Sequence, residues 1–346
     1  MAIELLDPKA KKTRLPYIDI SKGLLIIFLV FHHIVNMAKG SMSVENMQYI
    51  TKWDILYVTY FMQAFFFITG YCSSFDKEFR PFLKSNIKAL LIPLLFFSII
   101  NQSVCWMVNG EDFFFVTELG TKFFFVIELY WFLSALFIAK ILLFFITRIS
   151  QNMVLQFLLV SILFIFAISL NTTHFHSFNW FHWHNGITDL MFLWFGHVFK
   201  KKGFLISYFN KLGISAMVMY LIGIIVFMAI GKNVPYYTHF PHFNWKYAPL
   251  FIYFSLSGTL MILYIGLLIS ENKFLSFWGK NTIVVYGIHF SILNIVIILL
   301  SMLFVPLNHV QGFVFYCIVG GASLYLSYLT CLLFQKKPFT YLIGKF

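Results

Sequence analysis

Leu15 to Asn36 reads LPYIDISKGLLIIFLVFHHIVN, an apolar run with Asp19 and Lys22 near its start and His32 and His33 near its end. The run reads as a helix beginning near Pro16. At about 3.6 residues per turn, the step of eleven residues from Lys22 to His33 is close to three whole turns. Both side chains therefore share one face with Asp19 and Ile26, while His32 points roughly 100° away. If this helix enters a bilayer near Lys22, His33 lies about 16 Å deeper, close to the midplane. An ionisable side chain there costs free energy, and its presence marks a functional position.

The rest of the chain agrees with a lipid environment. Of its 346 residues, 60% are hydrophobic, 21% aromatic and only 11% charged, and the mean hydropathy is +0.83. These values are far from those of soluble domains. Forty-six phenylalanines exceed what a water-soluble fold of this length buries. The net charge of +12 does not indicate nucleic-acid binding, because the lysines and arginines form short clusters beside apolar runs, which is a topology signal. Cys72, Cys105, Cys317 and Cys331 are scattered, with neither a disulfide framework nor zinc-finger spacing. No small-residue cleavage site follows the first run, so a retained span is expected rather than a signal peptide.

Ten apolar runs are long enough, or nearly so, to span: about 20–38, 54–72, 88–108, 123–146, 153–170, 187–199, 212–230, 247–269, 282–304 and 313–334. The sixth is the shortest. The expected fold is an all-α integral membrane protein, one bundle of about ten transmembrane helices forming a single domain over residues 1–346. Its tails are about 1–15 and 335–346. Lys and Arg are abundant in the N-terminal tail, in alternate loops (Lys77, Arg80, Lys84 and Lys88; Arg148; Lys200, Lys201, Lys202 and Lys211; Lys273 and Lys280) and in the C-terminal tail. That distribution places both termini in the cytoplasm. Lys140, inside the fourth run but near its inner end, can snorkel. The fifth loop, NTTHFHSFNWFHWHNG from Asn171 to Gly186, and the seventh, from Gly231 to Lys246, are rich in aromatics and histidine. They suit a cover over an outward-facing site.

As a neutral imidazole, His33 can take a proton from a hydroxyl and return it to a leaving group. The alternative is a histidine that packs helices together by a hydrogen bond. His32 is a second candidate for the same role. His174, His176, His182 and His184 form two His-x-His pairs with no acidic or cysteine partner nearby, and their spacing matches no zinc pattern, so no metal is expected. His197, near the inner end of the sixth run, reads as structural.

The pattern Asp19-x-x-Lys22-Gly23 followed by His33 resembles the first-helix signature of the acyltransferase-3 family of integral membrane acyltransferases, and is closest to its sugar O-acetylase branch. Lysine stands where many members have arginine, so the cation is a point charge rather than a planar fork. Four further stretches resemble the family in order: FFFITGY (Phe65 to Tyr71), FLKSNIKALLIP (Phe82 to Pro93), YWFLSALF (Tyr130 to Phe137) and FWGKNTIVVYGIHF (Phe277 to Phe290). The resemblance covers about residues 15 to 335. It implies an enzyme, an O-acyltransferase that moves an acyl group, commonly acetyl, from cytoplasmic acyl-CoA to a hydroxyl of a cell-envelope carbohydrate. The expected location is the inner membrane of a bacterium.

On that reading, Lys22, Arg80, Lys84 and Lys88 hold the phosphates of acyl-CoA, which need cations on the inner face. For Arg80, Lys84 and Lys88, plain positive-inside topology explains the charges equally well. His33 is the catalytic base, with Asp19 on its face, and Asp189 or Glu128 either orients it or binds sugar hydroxyls. Trp131 suits stacking on a sugar ring, although an interfacial belt also explains tryptophans at such depths. His289 resembles the family's second histidine, or packs. The expected partners are a carbohydrate or lipid-linked glycan acceptor and the membrane lipids, with no nucleic acid, and a homo-oligomer is compatible with the sequence. A rival reading, a transporter or flippase for glycans, predicts inverted repeats or paired broken helices, and neither is visible.

Overall fold

The computed structural model describes residues 14–38, 50, 56–109, 129–171, 180–203, 209–230 and 247–344. Among these, every regular element is helical. They are α1 (Pro16–Met37), α2 (Phe61–Cys72), α3 (Phe79–Asn86), a π-helical turn (Ile87–Leu91), α4 (Ile92–Asn109), α5 (Trp131–Ile149) and α6 (Met153–Asn171). After a 3-10 turn (Trp180–His182) come α7 (Trp183–Lys202), α8 (Phe209–Ile230), α9 (Ala248–Ile269), α10 (Lys273–Lys280), α11 (Thr282–Leu303), α12 (His309–Leu333) and α13 (Phe339–Leu342). Within the described residues, each of the ten apolar runs falls mainly on helix, the third on the π-helical turn and α4 together. Among the described residues, seven helical stretches are long and apolar enough to cross a membrane. The chain is an integral, multi-pass membrane protein.

The sixth run belongs to a longer helix than its apolar stretch suggests. Helix α7 has twenty residues, and its polar positions are enclosed: it packs against α2, α5 and α6 and buries Asn185, Thr188 and Asp189. Protein, not lipid, surrounds these groups, so hydropathy alone understates the helix.

Helix α1 is the hub of the bundle, in contact with α2, α9, α10, α11 and α12. Without a hydrophobic drive between helices in lipid, close packing depends on small residues that let backbones approach. Two such contacts set the frame. Where α1 meets α10, a Cβ on Gly23 would lie 2.9 Å from the carbonyl carbon of Leu275, and one on Gly279 would lie 2.5 Å from that of Asp19. Where α2 meets α7, a Cβ on Gly70 would lie 2.8 Å from the carbonyl carbon of Leu193, and one on Gly196 would lie 2.8 Å from that of Phe67. Both contacts are reciprocal, so each pair fixes the axial register of its two helices.

Register then determines which side chains meet at depth. His33 follows Gly23 by ten positions, and His289 follows Gly279 by ten. The glycine contact between α1 and α10 thus predisposes the two histidines, carried deeper by α1 and α11, to lie at a common level.

Candidate active site

His33 and His289 do meet. Their ring centroids are 5.0 Å apart, and Phe290 lies against both, at 4.5 Å from His33 and 4.2 Å from His289. His32 is beside His33 at 5.2 Å and packs on Phe61 of α2 at 5.6 Å. His33 and His32 are half-buried, whereas His289 is 0% exposed.

The hydrogen bonds of His289 assign its tautomer. Nδ1 lies 2.6 Å from the carbonyl oxygen of Tyr286, one turn back on α11. A carbonyl can only accept, so Nδ1 carries the proton and Nε2 presents a lone pair. That Nε2 is buried and has no hydrogen-bond partner among the described residues. Leaving such an acceptor unpaired costs about 1–3 kcal/mol, the kind of expense found where a group is kept ready for substrate or for a proton.

A cavity of about 190 Å³ lies next to this pair, with Tyr286, which packs on His289, in its wall. Lys22, Ile26 and Leu29 of α1 line it, at spacings of four and three residues that His33 continues after four more. The face selected by sequence periodicity is therefore the face that walls the cavity. The other walls are Met62, Phe65, Ile68 and Thr69 of α2; Phe132, Leu133 and Leu136 of α5; Thr282, Ile283 and Tyr286 of α11; and Leu90 of the π-helical turn. One end carries the Lys22 ammonium with the Thr69 and Thr282 hydroxyls. At the other, Tyr286 packs on His289 with ring centroids 5.8 Å apart. The interior is otherwise aliphatic and aromatic. Its volume has room for a thioester and a short acyl chain, with polar groups only at Lys22, Thr69, Thr282 and the Tyr286 hydroxyl.

Lys22 is held at that mouth by a buried carboxylate. Asp19, 3% exposed, receives an ion pair from Lys22 Nζ at 3.2 Å and a two-pronged contact from Arg14, whose Nε and Nη2 donate to Oδ2 and Oδ1. Two cations share one carboxylate, so the cluster keeps an excess positive charge at the lysine-rich end. About four turns of α1 separate Asp19 from His33, so this carboxylate acts on Lys22 and not on the imidazole.

The other sequence-derived candidates are more dispersed. Asp189 is 0% exposed on α7; Gln63 of α2 donates to its Oδ1 at 3.2 Å, and its Oδ2 has no partner among the described residues. Sequence reading missed Gln63, although a lone amide in the run FMQAFFF was a visible signal, since a polar side chain in lipid needs a partner. Arg80 and Lys84 are exposed on the short helix α3. Lys88 is half-buried on the π-helical turn, two residues before Leu90. Trp131 packs on Phe132 and stands 6.4 Å from the ring of His182. His184 Nε2 donates to the carbonyl of Ala167 at 2.6 Å, tying α7 to α6. Glu128, His174 and His176 lie outside the described residues. Among the described residues, no three His, Cys, Asp or Glu side chains gather as a metal site would require.

Tyr130, which opens the family-like stretch YWFLSALF and had no role assigned from sequence, supports the histidine pair. Its hydroxyl donates to the carbonyl of Gly287 at 2.7 Å, and its ring packs on Tyr286 and Phe290. It fixes α5 against the turn of α11 that carries His289.

A family-wide comparison bears on the same residues. No curated protein and no solved structure matches the chain. The family model described as an acyltransferase domain matches residues 15–332, a span that contains Lys22, both histidines and every residue that lines the apolar cavity. The chain belongs to the acyltransferase-3 family of membrane acyltransferases.

Proposed function

We propose that this enzyme moves an acyl group, acetyl in the first instance, from cytoplasmic acyl-CoA to a hydroxyl of a cell-envelope carbohydrate. The lysine-rich end faces the cytoplasm, ten helices cross the inner membrane of a bacterium, and the acceptor arrives from the opposite side. The observation that carries this reading is the largely apolar cavity that Lys22 lines at one end and Tyr286, the residue packed on His289, lines at the other. A thioester is uncharged and apolar enough to enter it, while the pyrophosphate of coenzyme A remains at a mouth held positive by Arg14, Lys22 and their shared Asp19.

The chemistry then follows from the pair of imidazoles. His33 removes the proton from the acceptor hydroxyl as its oxygen attacks the thioester carbonyl. The C–S bond breaks, and the proton passes from the imidazolium to the departing thiolate of coenzyme A. His289, with Nδ1–H fixed on the Tyr286 carbonyl, has a lone pair at Nε2 for the N–H of His33. It orients the base as a carboxylate does in a hydrolytic triad, but without a fixed charge in the membrane. Asp189 and Trp131, nearer the opposite end, suit binding of the acceptor.

The test is mass spectrometry of surface glycans from cells with wild-type protein, with none, and with His33→Ala or His289→Ala at matched membrane levels. An acyl mass present with wild type and absent from the other three supports the reading. Persistence of that mass with His33→Ala removes it.

A further inference from the structure

A second cavity, of about 370 Å³, opens at the lysine-rich end where α2, α5 and α7 terminate, and the reading above gives it no task. Three cations line it: Arg148 from the end of α5, and Lys200 and Lys201 from the last turn of α7. Asp76 is the one acidic side chain in its wall, and the Ser74 hydroxyl already donates to it at 3.1 Å. The cations are tethered, not free to wander: Arg148 donates to the Lys77 carbonyl at 2.6 Å, Lys200 to the Ser73 carbonyl at 2.7 Å and Lys201 to the Gln151 side chain at 3.4 Å. A guanidinium has five N–H donors, so the single bond to Lys77 positions Arg148 without exhausting it. His197 also lines the cavity, edge-on to Phe75, and its buried Nδ1 has no hydrogen-bond partner among the described residues.

This basic cavity adjoins the apolar one. Thr69, at the mouth of the apolar cavity, and Ser73, in the wall of the basic one, are one turn apart on α2. Lys140 of α5 lies on the helical face between Leu136 of the apolar cavity and Thr147 of the basic one, its ammonium 6.0 Å from the Phe82 ring centroid. Arg148, Lys200 and Lys201 thus line the basic cavity and Lys22 the apolar one, with Lys140 on the face of α5 between their walls.

We infer that the basic cavity is the binding site for a phosphomonoester, namely the nucleotide end of the acyl-CoA donor, and that it selects for the 3′-phosphate. This rests on acyl-CoA being the donor. Convergent, pre-tethered cations recognise a dianionic phosphate by charge-assisted hydrogen bonds. The neighbouring apolar cavity takes the other end of the same molecule, a combination that an isolated phosphate does not require. The assignment gives Arg148, Lys200 and Lys201, which topology alone would explain, a specific ligand. It also leaves the exposed Arg80 and Lys84 as topology charges.

The experiment measures binding by calorimetry to the full-length protein in nanodiscs, using coenzyme A and dephospho-coenzyme A, which lacks only the 3′-phosphate. Wild type should bind coenzyme A at least about tenfold more tightly. The double variant Arg148→Gln/Lys201→Gln should bring that ratio close to one while still binding dephospho-coenzyme A. Lys202→Gln, a neutralisation outside the cavity wall, should preserve it. Equal binding of both ligands by wild type, or an unchanged ratio in the double variant, overturns the site and leaves the donor intact. Binding of neither ligand overturns the donor reading itself. Repeating the series in zwitterionic and in anionic lipid separates the remaining source of phosphate: if discrimination vanishes when anionic lipid is added, the cavity holds a lipid headgroup and the inference fails.

Discussion

Gly279→Ala is expected to disrupt the frame of the site while adding a single methyl group. The new Cβ would lie 2.5 Å from the carbonyl carbon of Asp19 and 2.9 Å from its Cα. Non-bonded carbons settle at about 3.5–4.0 Å, so α10 must retreat from α1 by roughly 1 Å. The opposing atoms belong to helical backbone, and no rotamer change can relieve them. Overpacking of this kind costs about 1–3 kcal/mol, set against about 1 kcal/mol that alanine gains over glycine in a helix interior. Gly321→Ala is the matched control, since nothing lies within 4 Å of a Cβ there and only the gain applies. The assay is thermal unfolding of both variants in the same nanodiscs, followed by donor KM for whatever remains folded. Gly279→Ala should melt below wild type and Gly321→Ala at or above it. The folded fraction of Gly279→Ala should also show a raised KM, because α10 covers the Asp19 that holds Lys22. A Gly279→Ala protein as stable as Gly321→Ala would refute the claim that this contact sets the register of α1.

Three other substitutions probe the site at different depths. Leu29→Trp places a large ring in a cavity of about 190 Å³, so turnover with longer acyl-CoA donors should fall well before turnover with acetyl-CoA; a uniform loss across the donor series would argue against this cavity as the acyl channel. Lys22→Met should raise the KM for acyl-CoA by about tenfold, the worth of one charge-assisted contact, with kcat changed less, and an unaltered KM would remove Lys22 from the mouth. Asp189→Asn keeps an acceptor oxygen for Gln63 and cannot ionise in its buried site, so the protein should unfold at the same or a higher temperature. If acyl transfer is nevertheless lost, the carboxylate serves the acceptor, and if both stability and transfer are unchanged, Asp189 has no functional part.

Much of the scaffold was legible because lipid imposes length and apolarity on each span, and α1 disclosed its working face through the spacing of Lys22, Ile26 and His33. What the sequence withheld is what arises between helices. Nothing in the run TIVVYGIHF states that His289 opposes His33, because that encounter depends on two glycines, Gly23 and Gly279, whose mutual contact is a tertiary fact. The pairing of Gln63 with Asp189 is similar, since a lone amide announces that it needs a partner but not which one. Arg148, Lys200 and Lys201 were harder still. Each belongs to a cluster that the positive-inside rule explains, and only the convergence of three helix ends turns topology charges into the lining of one cavity.

The distribution of charge also explains why histidine, and not a carboxylate, occupies the centre. The fixed ions (Arg14, Asp19 and Lys22, with Arg148, Lys200 and Lys201) are at the lysine-rich end, where water and counter-charges limit the expense of burial. At the depth of His33, an unpaired carboxylate would bear a far larger desolvation penalty and would hold a proton rather than accept one transiently. Two neutral imidazoles avoid that penalty while idle, and one becomes charged only while a proton is in transit. In the proposed reaction the leaving thiolate appears as that imidazolium forms, so the opposite charges arise together and disappear together. The requirement that follows is geometric, because the thiolate must be released beside the imidazole. Lys22 enforces that requirement if it anchors the donor while the acyl end reaches past Leu29. A Lys22→Met enzyme should therefore lose its preference for a donor with phosphates, measured as the ratio of turnover with acyl-CoA to that with acyl-pantetheine, which has the same arm and no phosphate. An unchanged ratio would mean that the cation merely neutralises the mouth.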